Sequence, residues 1–149
     1  MAKAQPEKTL ATLLADRWEH LSRKTQQLAD ALPDEKFEWR PQPDIRTGGE
    51  VVRHLAFWNQ YLSASLRNQK ADDSSNELPL ASYPTKARAL GALQHSSADV
   101  VAAIREHSAA LSPKTAELVM SFIEHTAEHY GQLVVYSRLL DVVPPASRS

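Results

Sequence analysis

The sequence predicts an all-α fold, a four-helix bundle. The 149 residues include only four glycines, two of them adjacent at Gly48 and Gly49. No segment alternates apolar and polar residues with the period of two that marks a strand, whereas apolar residues recur at steps of three, four and seven along helix-length stretches. Because this length is the usual size of one domain, we expect a single domain over residues 1–149.

The first helix is predicted from about Glu7 to Pro33. Proline ends it because the ring removes a backbone donor and clashes with the preceding turn. The next stretch, "PDEKFEWRPQPDIRTGG", has three prolines and is predicted to be a connector. The apolar stripe of the first helix consists of Leu10, Leu14, Trp18, Leu21, Leu28 and Leu32.

The second helix is predicted from Gly48 to about Lys70. Thr47 and Glu50 fit a capping box, in which the hydroxyl and the carboxylate bind backbone N–H groups at a helix start. The polar stretch that follows, "ADDSSNELPLASYP", is long for a bundle connection. It could carry the chain the length of the bundle, so that helices two and three run parallel.

The third and fourth helices are separated at "LSP". Ser112 is placed to cap the fourth helix and Pro113 to occupy its first turn, and this helix is predicted to reach about Leu140, before "VPP". The stripe of the third helix is Leu90, Leu93, Ser97, Val100, Val101, Ile104 and Leu111.

Composition narrows the classes of function. The net charge is -1, from 17 basic and 18 acidic residues that are mixed along the chain, so neither nucleic acid nor a membrane surface is expected as a partner. With no cysteine, any transition metal must be held by His, Asp or Glu. Charged residues interrupt the amino-terminal region before a signal sequence could form, and no apolar run has membrane-spanning length. A cytoplasmic protein is therefore expected.

Three of the six histidines are predicted to face inward. His125 and His129 lie about 40° apart on the fourth helix, on a stripe with Phe122 and Leu133, and His54 lies on the stripe of the second helix. Two histidines four residues apart can bind one cation, and a facing helix can supply a third ligand. Uncharged core histidines held by hydrogen bonds are the simpler alternative. The remaining histidines, His20, His95 and His107, are predicted to be solvated.

The segment "HTAEH" also matches H-x-x-E-H, the signature of the inverted zincins. In such a peptidase Glu128 would be the general base. The simpler alternative is that Glu128 is a solvated residue of the helix surface. A third ligand, usually a carboxylate, is needed further along the chain, and Asp141 is the sole acid after His129. The peptidase is therefore the less favoured reading.

Three segments resemble the DinB/YfiT-like family of four-helix-bundle proteins: "LPDEKFEWRP", "GGEVVRHLAFWNQYL" and "FIEHTAEHYGQLVVYSRLLDVVPPASR". With the helices between them, the resemblance covers about Thr9 to Arg148. It implies that His54, His125 and His129 bind a divalent metal, commonly zinc or nickel, that a long crossover joins helices two and three, and that the protein is a homodimer. Family activities include transfer of thiols such as bacillithiol or mycothiol to electrophiles, although many members have no assigned reaction. Where a glycine often precedes the final prolines, this chain has "LLDVVPP".

Two classes of function remain open. A metal-dependent transferase or hydrolase would use three neutral ligands and an open coordination position, since the metal lowers the pKa of bound water or holds a thiol as thiolate. Glu128 and Gln132 are then candidates to orient a ligand or water. The candidates to line the substrate cavity are Trp58, Tyr61 and Tyr136. The alternative is a non-catalytic bundle whose metal or core histidines serve stability, dimerisation, ligand sensing or a stress response.

Overall fold

The protein is a bundle of four helices. The computed structural model describes residues 7–107 and 109–149, and within these ranges no strand occurs. The helices are α1 (Leu10–Ala31), α2 (Gly48–Leu66), α3 (Lys86–Glu106) and α4 (Pro113–Leu139). Single turns of 3-10 helix lie at Asp34–Lys36 and Pro145–Ser147. The predicted all-α four-helix bundle is confirmed.

Helices α2 and α3 run parallel. Asn59 on α2 donates to the hydroxyls of Ser96 and Ser97 on α3, and Arg67, just beyond α2, donates to the carboxylate of Glu106 at the end of α3. The residue numbers on the two helices therefore rise together. The crossover of residues 67–85 has to return along the bundle, as its length predicts.

Two apolar clusters fill the core, one toward each end of the bundle. The first centres on α2 and the following helices: Leu28, Ala29, Leu32, Phe37, Val51, Val52, Leu55, Ala56, Phe57, Leu78, Ala89, Leu90, Leu93, Leu133 and Tyr136. The second is Leu14, Ala15, Trp18, Leu62, Leu66, Val100, Ala103, Ile104, Ala116 and Val119. Most residues of the predicted stripes are buried, whereas Val101 and Leu111 are half-buried and Leu10 is 49% exposed.

The helix starts follow side-chain capping. The capping box forms as predicted, because Glu50 N–H donates to Thr47 Oγ1 at 3.0 Å and Thr47 N–H donates to a Glu50 carboxylate oxygen at 2.8 Å. Ser112 caps α4 through the N–H of Thr115 at 3.1 Å. Helix α1 begins at Leu10 rather than about Glu7, since the Thr9 hydroxyl accepts from the N–H of Thr12 and starts the helix there.

Two helix ends come earlier than predicted. Helix α2 ends at Leu66 rather than about Lys70, and Asn68 just beyond it has a left-handed φ of 55°. Asparagine tolerates this conformation and commonly stops a helix. Helix α3 ends at Glu106, before Leu111. No helix in the described part of the chain is long and apolar enough to cross a membrane.

Candidate metal centre

Helices α2 and α4 bring three imidazoles together. His54 is 5% exposed, while His125 and His129 are half-buried. One ring nitrogen from each of the three lies within 4.8 Å of the other two. The three histidines that the helical stripes predicted to face inward are therefore the ones that meet.

The other histidines lie outside this group. His20 and His95 are exposed, as predicted. His107 departs from the prediction, since it is half-buried and its Nε2 lies 2.7 Å from the carbonyl oxygen of Leu66. It follows the last residue of α3, and its ring reaches across to the end of α2, which a count of helical angles did not anticipate.

Hydrogen bonds fix which nitrogen of His54 and of His129 can bind a metal. His54 Nδ1 lies 2.6 Å from the backbone carbonyl of Asn76, and a carbonyl only accepts, so Nδ1 carries the proton. His129 Nδ1 donates in the same way to Gln132 Oε1 at 2.8 Å. In both neutral rings Nε2 is therefore left with a lone pair, which is how metal-binding histidines are usually held.

Gln132 connects the site to the loop before α2. Its Nε2 donates to the Tyr136 hydroxyl at 2.6 Å, and that hydroxyl donates to the carbonyl of Arg46 at 2.6 Å. The chain from His129 through Gln132 and Tyr136 to Arg46 thus links α4 to the loop in front of the capping box. This network fixes the orientation of the His129 ring through its Nδ1 atom, on the side opposite Nε2.

Two of the ring nitrogens, one on His54 and one on His125, are close enough to share one proton or one metal ion. His54 Nε2 lies 2.9 Å from His125 Nε2. Because His54 is protonated on Nδ1, only His125 can supply a proton to this contact. A cation between the rings would accept both lone pairs and that of His129 as well.

All three imidazoles are held neutral. Burial is the largest cause and lowers the pKa of His54 to about 4 and that of His125 to about 4, and it also lowers the pKa of His129. The charge of Arg46 acts in the same direction on all three, whereas that of Glu128 opposes it at His125 and His129. Neutral imidazole is the form that binds metal, so the ligands are ready at pH 7.

The donor set fits a divalent transition metal. Neutral imidazole suits zinc, nickel, copper and iron, and three histidines leave a tetrahedral ion one position for a further ligand. Within the described ranges, no carboxylate or fourth histidine belongs to the group. A closed structural zinc site normally has four protein ligands, so this set corresponds to the open type.

A cleft of about 370 Å³ opens beside the group. It is lined by His54, Trp58, Asn76, Ser121, Phe122 and His125. Of the three aromatic residues predicted to line a cavity, Trp58 does so and Tyr61 stacks against Phe122 with its ring centroid 6.0 Å away. Tyr136 is 4% exposed and lies instead in the core, where it reaches the site through Gln132.

Neither carboxylate of the alternative motif belongs to the group of three imidazoles. Glu128 is exposed on α4, and Asp141 is exposed beyond its end with a left-handed φ of 58°. The third nitrogen comes from His54, earlier in the chain, where the inverted zincins require a later ligand. The match to H-x-x-E-H therefore reflects two histidines on one helical face.

Sequence reasoning missed Asn76 and Arg46. Asn76 lies in the crossover and acts on His54 through its backbone carbonyl, which any residue possesses. Arg46 comes directly before the capping residue of α2 and influences all three imidazoles through its charge. Both residues lie in loops, where no helical period predicts which way a group points. Their positions beside the imidazoles follow only from the path of those loops.

Comparison with known proteins gives one clear match. A family model described as the DinB superfamily matches residues 17–136, which includes all three histidines. No curated protein matches the chain. The matched region starts within α1 and extends into the last turn of α4.

Proposed function

The chain belongs to the DinB superfamily, and on that basis we propose that it is a divalent-metal-dependent enzyme acting on small molecules. The reaction is transfer of a low-molecular-weight thiol to an electrophile or hydrolysis of a small molecule. The observation that carries the proposal is the meeting of His54, His125 and His129 with their ring nitrogens within 4.8 Å. Family membership and this histidine group together fit a metal-dependent protein.

The residues have separate tasks in this proposal. The three imidazoles would hold the metal, zinc or nickel, and as neutral ligands they leave its double positive charge uncompensated. A divalent cation held in this way lowers the pKa of a thiol or a water molecule that binds it. Asn76 and Gln132 hold the proton on Nδ1 of His54 and His129, which keeps each Nε2 directed at the centre.

Glu128 is the candidate to take up a proton at the edge of the site. It is exposed on α4 next to His129 in sequence, and its negative charge acts on His125 and His129. A carboxylate in this position can orient an incoming thiol or a water molecule through a hydrogen bond. Gln132 is already bonded on both sides, so its role is to position His129.

Metal analysis with a turnover assay tests the proposal. Protein purified without added metal is expected to contain one equivalent of a divalent metal, and chelation is expected to abolish turnover of a thiol with an electrophile or of an activated ester. Restoring the metal should restore turnover. If metal is bound but no thiol acceptor or ester reacts, the enzyme proposal fails and the non-catalytic alternative gains.

The alternative is a non-catalytic, metal-stabilised homodimer. The outer face of α4 is the surface that favours the dimer. Val135 and Leu139 are 56% and 59% exposed on this helix. If two copies of α4 packed antiparallel with Gly131 at the centre, Glu124 of one copy would lie opposite Arg138 of the other. The apolar face and the opposite charges would then both be satisfied by a second copy.

Glycine substitutions test the dimer cleanly. A Cβ at Gly131 or at Gly91 would meet nothing within 4 Å, so a side chain can leave either backbone position without a clash. Gly131→Glu is expected to shift a dimer to monomer in sedimentation experiments, whereas Gly91→Glu on α3 is the matched control and should not. A monomeric wild-type protein, or a dimer unaffected by Gly131→Glu, would refute this interface.

A further inference from the structure

We infer that the cleft beside His54 and His125 binds an aromatic or alkyl group of the substrate. The inference rests on the proposed function, because it assigns the substrate class of the same site. The cleft of about 370 Å³ is large enough for a small organic group. Two aromatic rings, Trp58 and Phe122, form its walls, and both are half-buried, so part of each ring remains accessible.

Both walls are held in place by neighbouring side chains. The Trp58 indole N–H donates to Asn76 Oδ1 at 2.9 Å, which fixes the plane of its ring. Phe122 stacks on Tyr61 with an interplanar angle of 11°, and the Trp58 and Tyr61 centroids are 5.2 Å apart. A ligand entering preformed walls loses little free energy in ordering them.

The polar groups that line the cleft are largely engaged already. The Ser121 hydroxyl donates to the carbonyl of Glu117 at 3.0 Å. The indole N–H of Trp58 and the Nδ1–H of His54 both donate to Asn76. A charged or strongly hydrogen-bonding substituent would lose water here with few partners in return, whereas an apolar group loses nothing.

A second cleft along α2 has many more charged side chains in its lining. It has a volume of about 720 Å³ and lies against the other side of the crossover, lined by side chains that include Glu38, Arg40, Glu50, Arg53 and Glu77. These carboxylates and guanidinium groups pair with one another, as Arg53 does with Glu38 at 2.6 Å. The cleft beside the histidines is therefore the better of the two for an uncharged apolar group.

Competing thiols test the inference by binding rather than by turnover. Protein loaded with Co²⁺ is titrated without oxygen with phenylmethanethiol, 2-mercaptoethanol and 2-mercaptoethanesulfonate, and visible and near-ultraviolet absorption reports sulfur coordination. Each thiol gives its proton to the buffer. The phenyl compound is expected to bind at least about tenfold more tightly than 2-mercaptoethanol, and the sulfonate no more tightly.

Variants decide whether this cleft is responsible. Phe122→Ala and Trp58→Ala are expected to remove the preference while retaining Co²⁺, whereas Tyr83→Leu, at a half-buried aromatic outside the cleft, should preserve it. The ratio of affinities is measured within each variant, so loss of folded protein does not mimic the effect. Equal affinities in the wild type, or a preference that survives both alanine variants, would overturn the inference.

A metal-free arm separates this inference from the proposed function. Metal-free protein is titrated with phenylmethanol and with ethanol, and tryptophan fluorescence is followed. If phenylmethanol binds saturably and ethanol does not, and if Phe122→Ala weakens that binding, the aromatic cleft is supported even when Co²⁺ does not bind. If Co²⁺ and all three thiols bind without preference, the metal site stands and the aromatic cleft is refuted.

Discussion

Helix α2 carries two buried polar clusters, one against α3 and one against α4. In the first, Asn59 donates to the hydroxyls of Ser96 and Ser97, and Ser96 donates onward to a backbone carbonyl. In the second, the nitrogen atoms of His54 and His125 face each other at 2.9 Å. The first cluster consists of hydrogen bonds between two helices, whereas the second brings one ring nitrogen from each of three histidines within 4.8 Å of the other two. Neutral imidazoles that converge in this way can bind a metal ion, whereas the amide and hydroxyls of the first cluster are suited only to hydrogen bonding.

Removing one of the three imidazoles should produce the largest effect, a loss of metal affinity that no change in the cluster against α3 should cause. His129→Ala is expected to weaken binding of Zn²⁺ or Ni²⁺ by more than about 100-fold, because losing a partner behind a ligand already costs 10–100-fold. Metal content after dialysis measures it. His95→Ala, an exposed histidine on α3, is the control. Unchanged metal content in His129→Ala would show that the three-histidine assignment is wrong.

Removing the support behind a ligand should have an intermediate effect. Gln132→Leu takes away the acceptor for His129 Nδ1–H and is expected to weaken metal binding by about 10–100-fold. Gln132→Glu keeps an acceptor at this position and should retain most of the affinity. Competition with a chelator of known affinity measures both variants. Equal loss in the two would mean that Gln132 acts through packing and not through this hydrogen bond.

The cluster against α3 should respond in stability alone. Asn59→Ala leaves two serine hydroxyls without their donor and is expected to lower the free energy of unfolding by about 1–2 kcal/mol. Metal affinity should not change, since Asn59 faces α3. Urea unfolding together with metal titration separates the two quantities, and Gln60→Ala at the exposed neighbouring position is the control. A loss of metal from Asn59→Ala would show that the clusters are coupled.

The mildest perturbation changes only the pH of metal-free protein. Burial lowers the pKa of His54 and His125 from 6.5 to about 4, so between these values the unfolded chain binds more protons than the folded one. Stability is therefore full above pH 6.5 and falls as the pH drops toward 4. Thermal unfolding across this range measures it. A His54→Gln and His125→Gln double variant should show a flatter profile, and an equally steep one would contradict this cause.

The sequence predicted which histidines meet better than it predicted their surroundings, for a physical reason. His54, His125 and His129 lie on apolar helical faces, and a period of 3.6 residues determines which way they point. Asn76 acts from a crossover whose course depends on tertiary contacts, such as the bond from Leu78 N–H to the Arg53 carbonyl. No periodic pattern encodes that path.

The helix ends teach the same lesson. The start of α2 was predicted correctly, because Thr47 and Glu50 bind backbone groups within one turn. Its end was misplaced, because Leu66 is followed by a left-handed Asn68 whose conformation depends on where the crossover departs. Signals that operate within a turn can be read from the sequence, and those that depend on distant packing cannot.

The separation of the ligands along the chain determines when the site can exist. His54 and His125 are 71 residues apart, and His129 lies further on in the last helix. During synthesis the ribosome releases α2 long before α4, so until then the emerging chain holds only His54 of the three imidazoles. An ion bound as proposed could therefore not guide the folding of α2, and could be held by all three imidazoles only after α4 has been released. Metal binding would then follow the folding of the helices rather than start it.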